Sequence, residues 1–113
     1  MSLKIAKLVT FGTQIAAAIG DLYTVLGGET VRIGKMTLHN TGATVEDVEI
    51  RILESGGATG DEFTLAEKSL AAGETWDVPY AAGHNLAAGD KIQGVTTTAS
   101  TVNVFISGIR YVQ

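Results

Sequence analysis

Apolar and polar positions alternate along most of this chain, and the alternation has the period of a strand. The plainest run is Glu46 to Leu53, where Val48, Ile50 and Ile52 share one parity and Asp47, Glu49 and Arg51 take the other. A strand sends successive side chains to opposite faces, so this run predicts an antiparallel sheet with one face packed and one face wet. In the last run, Val102 to Val112, Val102, Val104 and Ile106 agree in phase, and Ile109 and Tyr111 fall out of it. Thr30 to Asn40 also breaks step, with Val31 and Ile33 on one parity and Met36 and Leu38 on the other. One extra residue near Gly34 restores all four to one face, which is a β-bulge. The same logic predicts a second bulge at Gly108.

Five more runs read as strands. They are Leu8 to Phe11, with an extension back to Leu3 left open by the pattern, Asp21 to Leu26, Glu62 to Leu70, Thr75 to Tyr80 and Lys91 to Thr97. Leu22, Tyr23 and Val25 are expected to be buried in the second of these. Trp76, Val78 and Tyr80 are in phase in the fourth, where Pro79 marks a strand edge or end. Residues 12–20 form a connection rich in Gly, Thr and Ala, without the long 3.6-residue pattern of a stable helix. Ser55 to Gly60 is a flexible loop, and residues 81–89 form another, with His84 and Asn85 at its centre.

A short phrase recurs three times: Leu26-Gly27-Gly28-Glu29-Thr30, Ala71-Ala72-Gly73-Glu74-Thr75 and Ala87-Ala88-Gly89-Asp90-Lys91. Each is a turn that launches a strand. Gly takes positive φ at no steric cost, and the acid that follows can accept hydrogen bonds from nearby backbone amides. Asn40-Thr41-Gly42 is a further turn signal. Eight short strands with such spacing predict an all-β fold, an antiparallel β-sandwich of jelly-roll or immunoglobulin-like type. No composition break divides the chain, so a single domain over 1–113 is expected, with residues 1–7 loosely ordered.

Composition narrows the function classes. Among 113 residues 45% are hydrophobic and 18% charged, so the chain can build a core and is short of solvating charge. That shortage leaves room for subunit contacts. The net charge is −4, and the eight Lys and Arg residues are scattered singly, which gives phosphate backbones no basic stripe to bind. With no Cys, thiol chemistry is excluded. The apolar stretch Ile15 to Ile19 is far shorter than the ~20 residues a helical membrane span needs. Met1 to Lys7 has two lysines and no long apolar segment behind it, so it reads as no signal peptide, and synthesis in the cytoplasm is expected.

Candidate chemistry is sparse. No Gly-x-Ser-x-Gly surrounds any serine, so a hydrolase would need His39 or His84 beside an acid and a nucleophile brought together in space. Gly56 to Glu62 lacks the Lys of a phosphate loop and ends in acids. Two histidines are too few for an ordinary zinc site, and Glu46, Asp47 and Glu49 show no calcium-loop spacing. No catalytic, cofactor or metal site is therefore expected. Two interaction readings remain. Phe105 opposes the phase of Val104 and Ile106, so it is expected to face outward toward a partner subunit. Trp76 and Tyr80 would be the stacking residues of a carbohydrate- or receptor-binding module.

The order of the phrases resembles small β-sandwich virion proteins of tailed phages and prophages. The likeness rests on Leu22-Tyr23-Thr24-Val25, the turn at Gly27-Gly28, and Leu38-His39-Asn40-Thr41. It continues through Ser55-Gly56-Gly57, Ala87 to Ile92, and the closing Val102 to Gly108, although Leu26 stands where many members have Pro. The resemblance implies a structural role, in capsid decoration (cement) or in a tail or fibre. It implies a homo-oligomer, a trimer by preference, with other virion proteins as partners and a place in the virion; the scattered charges and short apolar stretch already point away from nucleic acid and membrane, and no cofactor is expected. It carries over no active-site residues.

Overall fold

The computed structural model describes residues 2–113, in which nine strands form two antiparallel sheets. They are β1 Ser2–Lys7, β2 Gly20–Thr24, β3 Glu29–Asn40, β4 Glu46–Leu53, β5 Thr64–Leu70, β6 Thr75–Asp77, β7 Asn85–Leu86, β8 Lys91–Thr96 and β9 Val102–Val112. One sheet runs β1-β9-β3-β6, with β7 also paired to β3, and the other runs β2-β8-β4-β5. The chain crosses repeatedly between the sheets, and its first strand lies beside its last. This is the interleaved order of a jelly roll, so the fold is an antiparallel β-sandwich.

Alternation explains the core. Val48 and Ile50 from β4, Val31, Ile33, Met36 and Leu38 from β3, and Val102, Val104 and Ile106 from β9 are all buried in one cluster. The β3–β9 register shifts between Ile33 and Lys35, so Gly34 is the extra residue that returns Met36 and Leu38 to the core. Residues 12–20 form no helix. They cross the end of the sandwich, where Ile15 is fully buried and Gln14 bridges Asn103.

The turn grammar is wider than the three phrases. All six glycines with positive φ, at 12, 28, 56, 73, 83 and 89, sit third in a four-residue turn. Each turn is closed by a backbone bond from its fourth amide to its first carbonyl, at 3.0–3.4 Å. Positive φ at the third position is the type II requirement that selects Gly. Glu74 and Asp90 reinforce their turns by accepting the amides of Ala71 and Ala87, each at 2.8 Å. Asn40 is the other corner piece. It is fully buried, donates to the carbonyls of Thr44 (2.9 Å) and Leu70 (3.1 Å), and accepts the Gly42 amide at 2.9 Å.

Four expectations need correction. The first strand is Ser2–Lys7, not Leu8 to Phe11, so residues 2–7 are ordered by pairing with β9. No second bulge exists at Gly108: β9 pairs with β1 without a register shift, and the displacement against β3 belongs to Gly34 alone. The run Thr75 to Tyr80 stops at Asp77, and Tyr80 leaves the strand phase with φ 64°. The loop at residues 81–89 contains the short strand β7, which the sequence pattern did not show.

Candidate interaction surface

Phe105 does face outward, and it is part of a larger feature. On β9, Ser107, Ile109 and Tyr111 share its parity and therefore its face. The antiparallel register places Lys7 opposite Ser107, Ile5 opposite Ile109, and Leu3 opposite Tyr111. On the other side of β9, Thr37, Lys35, Arg32 and Thr30 lie opposite Phe105, Ser107, Ile109 and Tyr111. Directly opposed residues of an antiparallel pair point the same way. The result is a stripe of Leu3, Ile5, Ile109, Tyr111 and Phe105 along the outer face of the β1-β9-β3-β6 sheet.

The turn after β1 extends this stripe. It brings the Phe11 ring to 6.0 Å from the Phe105 ring, tilted by 56°, and the Lys7 ammonium to 4.5 Å from the Phe11 centroid. Those are distances for aromatic and cation–π attraction. The side chains enclose a shallow apolar hollow of about 190 Å³ with Lys35, Thr37 and Ser107. Leu3, Ile5, Phe11 and Phe105 are exposed by 56%, 86%, 68% and 38%, and they make up four of the seven exposed large apolar residues in the described chain. The face is basic: Lys7, Arg32 and Lys35 stand against Asp77, which sits 3.6 Å from the Lys35 ammonium.

The outer face of the other sheet is acidic. Asp47, Glu49 and Arg51 project from β4, Glu67 and Ser69 from β5, and Val95 from β8. The two strands and β8 frame an open concavity of about 600 Å³, with Val95 among its lining residues. Arg51 is committed within this face, to Glu49 and, at 3.3 Å, to Asp61. Its guanidinium holds the Glu49 carboxyl below the usual range. At one end of this face Gln93 and Lys91 both bind Asp21, and the Gln93 hydrogen bond lowers the Asp21 carboxyl.

The remaining candidates fall apart in space or into structural roles. Trp76 lies opposite buried Leu38, packs its ring against the core and has the Lys68 ammonium 5.9 Å from its centroid. Tyr80 is 83% exposed, beyond the end of β6. The two therefore share no strand face and form no joint stacking platform. His39 is half-buried, with Nδ1 2.7 Å from the Thr75 hydroxyl, whereas His84 is exposed in its turn. The acids at 46, 47 and 49 diverge. Glu46 turns inward and accepts from Thr101 Oγ1 (2.5 Å) and the Thr98 amide (3.1 Å), while Asp47 accepts from Ser69 at 2.5 Å.

Glu29, the acid of the first turn phrase, also departs from its counterparts. Its carboxylate receives Nε and Nη2 of Arg110 at 2.6 and 2.9 Å, a bidentate pair that closes one end of the sandwich. Arg110 holds the Glu29 carboxyl below its ordinary value, and burial raises the neighbouring Tyr23 hydroxyl.

Sequence reasoning found Phe105 but missed Leu3, Ile5 and Phe11 as its companions. The available signal was the phase break at Ile109 and Tyr111, which marks outward apolar residues and not a bulge. Among the described residues, no helix is long and apolar enough to cross a membrane.

Comparison with known proteins adds a fold likeness and no family. No protein-family model matches the sequence, and no curated protein matches it. A chain from a structure of Bacillus endospore appendages, described as a novel family of disulfide-linked pili, is similar in fold at 17% identity and a TM-score of 0.53. The match covers 98% of this chain and 88% of that one. At that identity the likeness concerns the β-sandwich fold.

Proposed function

We propose that this chain is a non-enzymatic structural subunit that works through repeated contacts in a multi-copy assembly. The observation that carries this reading is the outer stripe of Leu3, Ile5, Phe11 and Phe105. A lone exposed apolar residue needs no explanation, but two apolar groups on one sheet face, Leu3 and Ile5 with Ile109 and Tyr111, and Phe11 with Phe105, parted only by the row of Lys7, Ser107 and Lys35, mark an interaction surface. A weak contact made by each copy becomes a strong one when many copies engage a repeating lattice together.

Within that reading, the order of turn and strand phrases supports a component of a phage or prophage virion, in capsid decoration or a tail. A second reading, a subunit of a surface fibre, is favoured by the fold likeness to an appendage described as a pilus. Residues 1–113 hold no Cys, so a fibre of this chain would be joined by non-covalent contacts here and not by disulfides.

The test is light scattering and negative-stain electron microscopy of the purified chain over a hundredfold range of concentration. Concentration-dependent association is expected, with closed rings or trimers favouring the virion reading and open fibres the appendage reading. A strict monomer throughout, with no affinity for capsids or tails, would overturn the proposal.

A further inference from the structure

Building on the structural-subunit reading, we infer that the basic apolar face of one copy docks on the acidic concave face of the next, so that copies stack head to tail. The occupant of the stripe is thus a second copy of this chain, joined through its other sheet.

Charge is the first argument. The stripe face carries Lys7, Arg32 and Lys35 against the single acid Asp77. The opposite face carries Asp21, Asp47, Glu49 and Glu67 against Arg51 and Lys91. Both cations of the acidic face are already bound within it, Arg51 by Glu49 and Asp61 and Lys91 by Asp21 at 3.3 Å. Asp47 and Glu67 form no ion pair among the described residues, and Arg32 forms none on the stripe face. Each face therefore repels its own kind and attracts the other, which selects against a symmetric face-to-self dimer.

Shape is the second argument. The stripe projects two aromatic rings and two aliphatic side chains. The other face offers a concavity of about 600 Å³, walled by Asp47, Glu49 and Glu67 with Val95 in its lining, and the one cation that also lines it, Lys68, is paired with Glu74 at 3.5 Å. An apolar ridge flanked by cations meets a hollow flanked by anions. The two long dimensions of the chain, 45 and 28 Å, frame faces large enough for the ~800 Å² that a standard interface takes from each partner.

Geometry then fixes the kind of assembly. The two patches lie on opposite outer faces of one sandwich, so the contact is heterologous and leaves a free patch at each end. Such a contact propagates unless a rotation closes it. With stacked sheets ~10 Å apart, each copy would add about 20 Å to the stack.

The experiment uses two charge-reversed chains, one with Arg32→Glu and Lys35→Glu, the other with Asp47→Lys and Glu67→Lys. All four positions are exposed, and unchanged melting curves confirm that both variants fold. Association is read by sedimentation velocity in low salt and at 0.5 M salt, on the order of a 4 Å Debye length. The wild type is expected to associate and to weaken in salt. Each variant alone should need at least about tenfold more protein to associate, since like charges then face each other. An equimolar mixture should recover association, because each variant supplies the face the other lacks. If the wild type associates while the variants alone do so equally well, or their mixture fails to recover, this docking is wrong and the structural-subunit reading survives. If the wild type never associates, this docking falls, and the structural-subunit reading falls with it when the chain also shows no affinity for capsids or tails.

Discussion

Gly34 and Gly108 face each other across the β3–β9 pair, and only one of them has to be glycine. A Cβ added at Gly108 would lie 2.2 Å from the Arg32 carbonyl oxygen and 3.2 Å from the Gly34 amide nitrogen. Both neighbours are backbone, so no side chain can swing aside. A Cβ at Gly34 would meet the Gly108 Cα and the Ser107 carbonyl at 3.4 Å, an ordinary contact. Gly34 also lacks the positive φ that would penalise a side chain. The bulge thus pushes the Arg32 carbonyl toward β9 and leaves Gly108 as the residue that makes room.

Relief of the Gly108→Ala clash requires the two backbones to separate by about 1 Å, the gap between 2.2 Å and a normal contact. The Ile33–Gly108 and Arg32–Ile109 pairs lie at that point. Loss of about two ladder hydrogen bonds at ~1 kcal/mol each, plus ~1 kcal/mol for a polar group left unpaired, gives ~3 kcal/mol. The reduced freedom of Ala in the unfolded chain returns about 0.5 kcal/mol. The expected loss is therefore ~2.5 kcal/mol, or about 10 °C in Tm at ~4 °C per kcal/mol. Gly34→Ala should stay within about 0.5 kcal/mol of wild type, since only the unfolded-chain term acts on it. Urea denaturation followed by far-ultraviolet circular dichroism, with thermal melts alongside, measures both. A Gly108→Ala protein within 0.5 kcal/mol of wild type, or a Gly34→Ala protein that loses as much as Gly108→Ala, would refute the account of the bulge.

Two further outcomes follow from the corners and the carboxylates. Asn40→Ala removes an amide that serves two carbonyls and should cost about 2 kcal/mol in urea denaturation. Asn40→Asp should cost more at pH 7, because a buried carboxylate would then face the Thr44 and Leu70 carbonyls; a smaller loss than Asn40→Ala would contradict this role. Glu29, Glu49, Glu74 and Asp21 are all held below their ordinary values, by Arg110, Arg51, the Ala71 amide and Gln93 respectively. A lowered carboxyl contributes stability that is complete above its unfolded value and is lost as pH falls through its folded one. The Tm should therefore be flat above about pH 5 and fall below pH ~4.5, and less steeply in Glu29→Gln/Arg110→Met, as pH-dependent melts will show.

Where a residue's partner lies in the same strand or turn, the sequence was readable. Val48, Ile50, Val104 and Ile106 reached the core by parity alone, and the glycines of the three phrases reached positive φ because the turn demands it. The bulge at Gly34 was readable because two apolar pairs fell on opposite parities within one run. Pairing that depends on a distant backbone left no such mark. Ser2–Lys7 buries almost nothing, and its strand character comes from the open edge of β9, which no pattern inside residues 2–7 reports. Tyr80 kept the right parity on paper, but Pro79 ended the strand before it.

The misread phase at Ile109 and Tyr111 shows what a parity break can mean. An apolar residue on the wrong parity has two physical explanations: an inserted residue turns it inward, or the outward face is itself apolar. The inward positions at that level decide between them. Glu29 and Arg110 take two of them, locked together beside buried Val31 and half-buried Val112, with Lys4 on the same parity opposite Arg110. Polarity is thus partly inverted at this end of the sheet, with the Glu29–Arg110 pair beside Val31 on the inward side and Leu3, Ile5, Ile109 and Tyr111 toward the outside. A monomer in water gains nothing from that arrangement, because the hydrophobic term rewards only area that leaves water. The inversion becomes favourable when a second surface covers the stripe, and that makes the outer face of β1 and β9 the place to look for what this chain does.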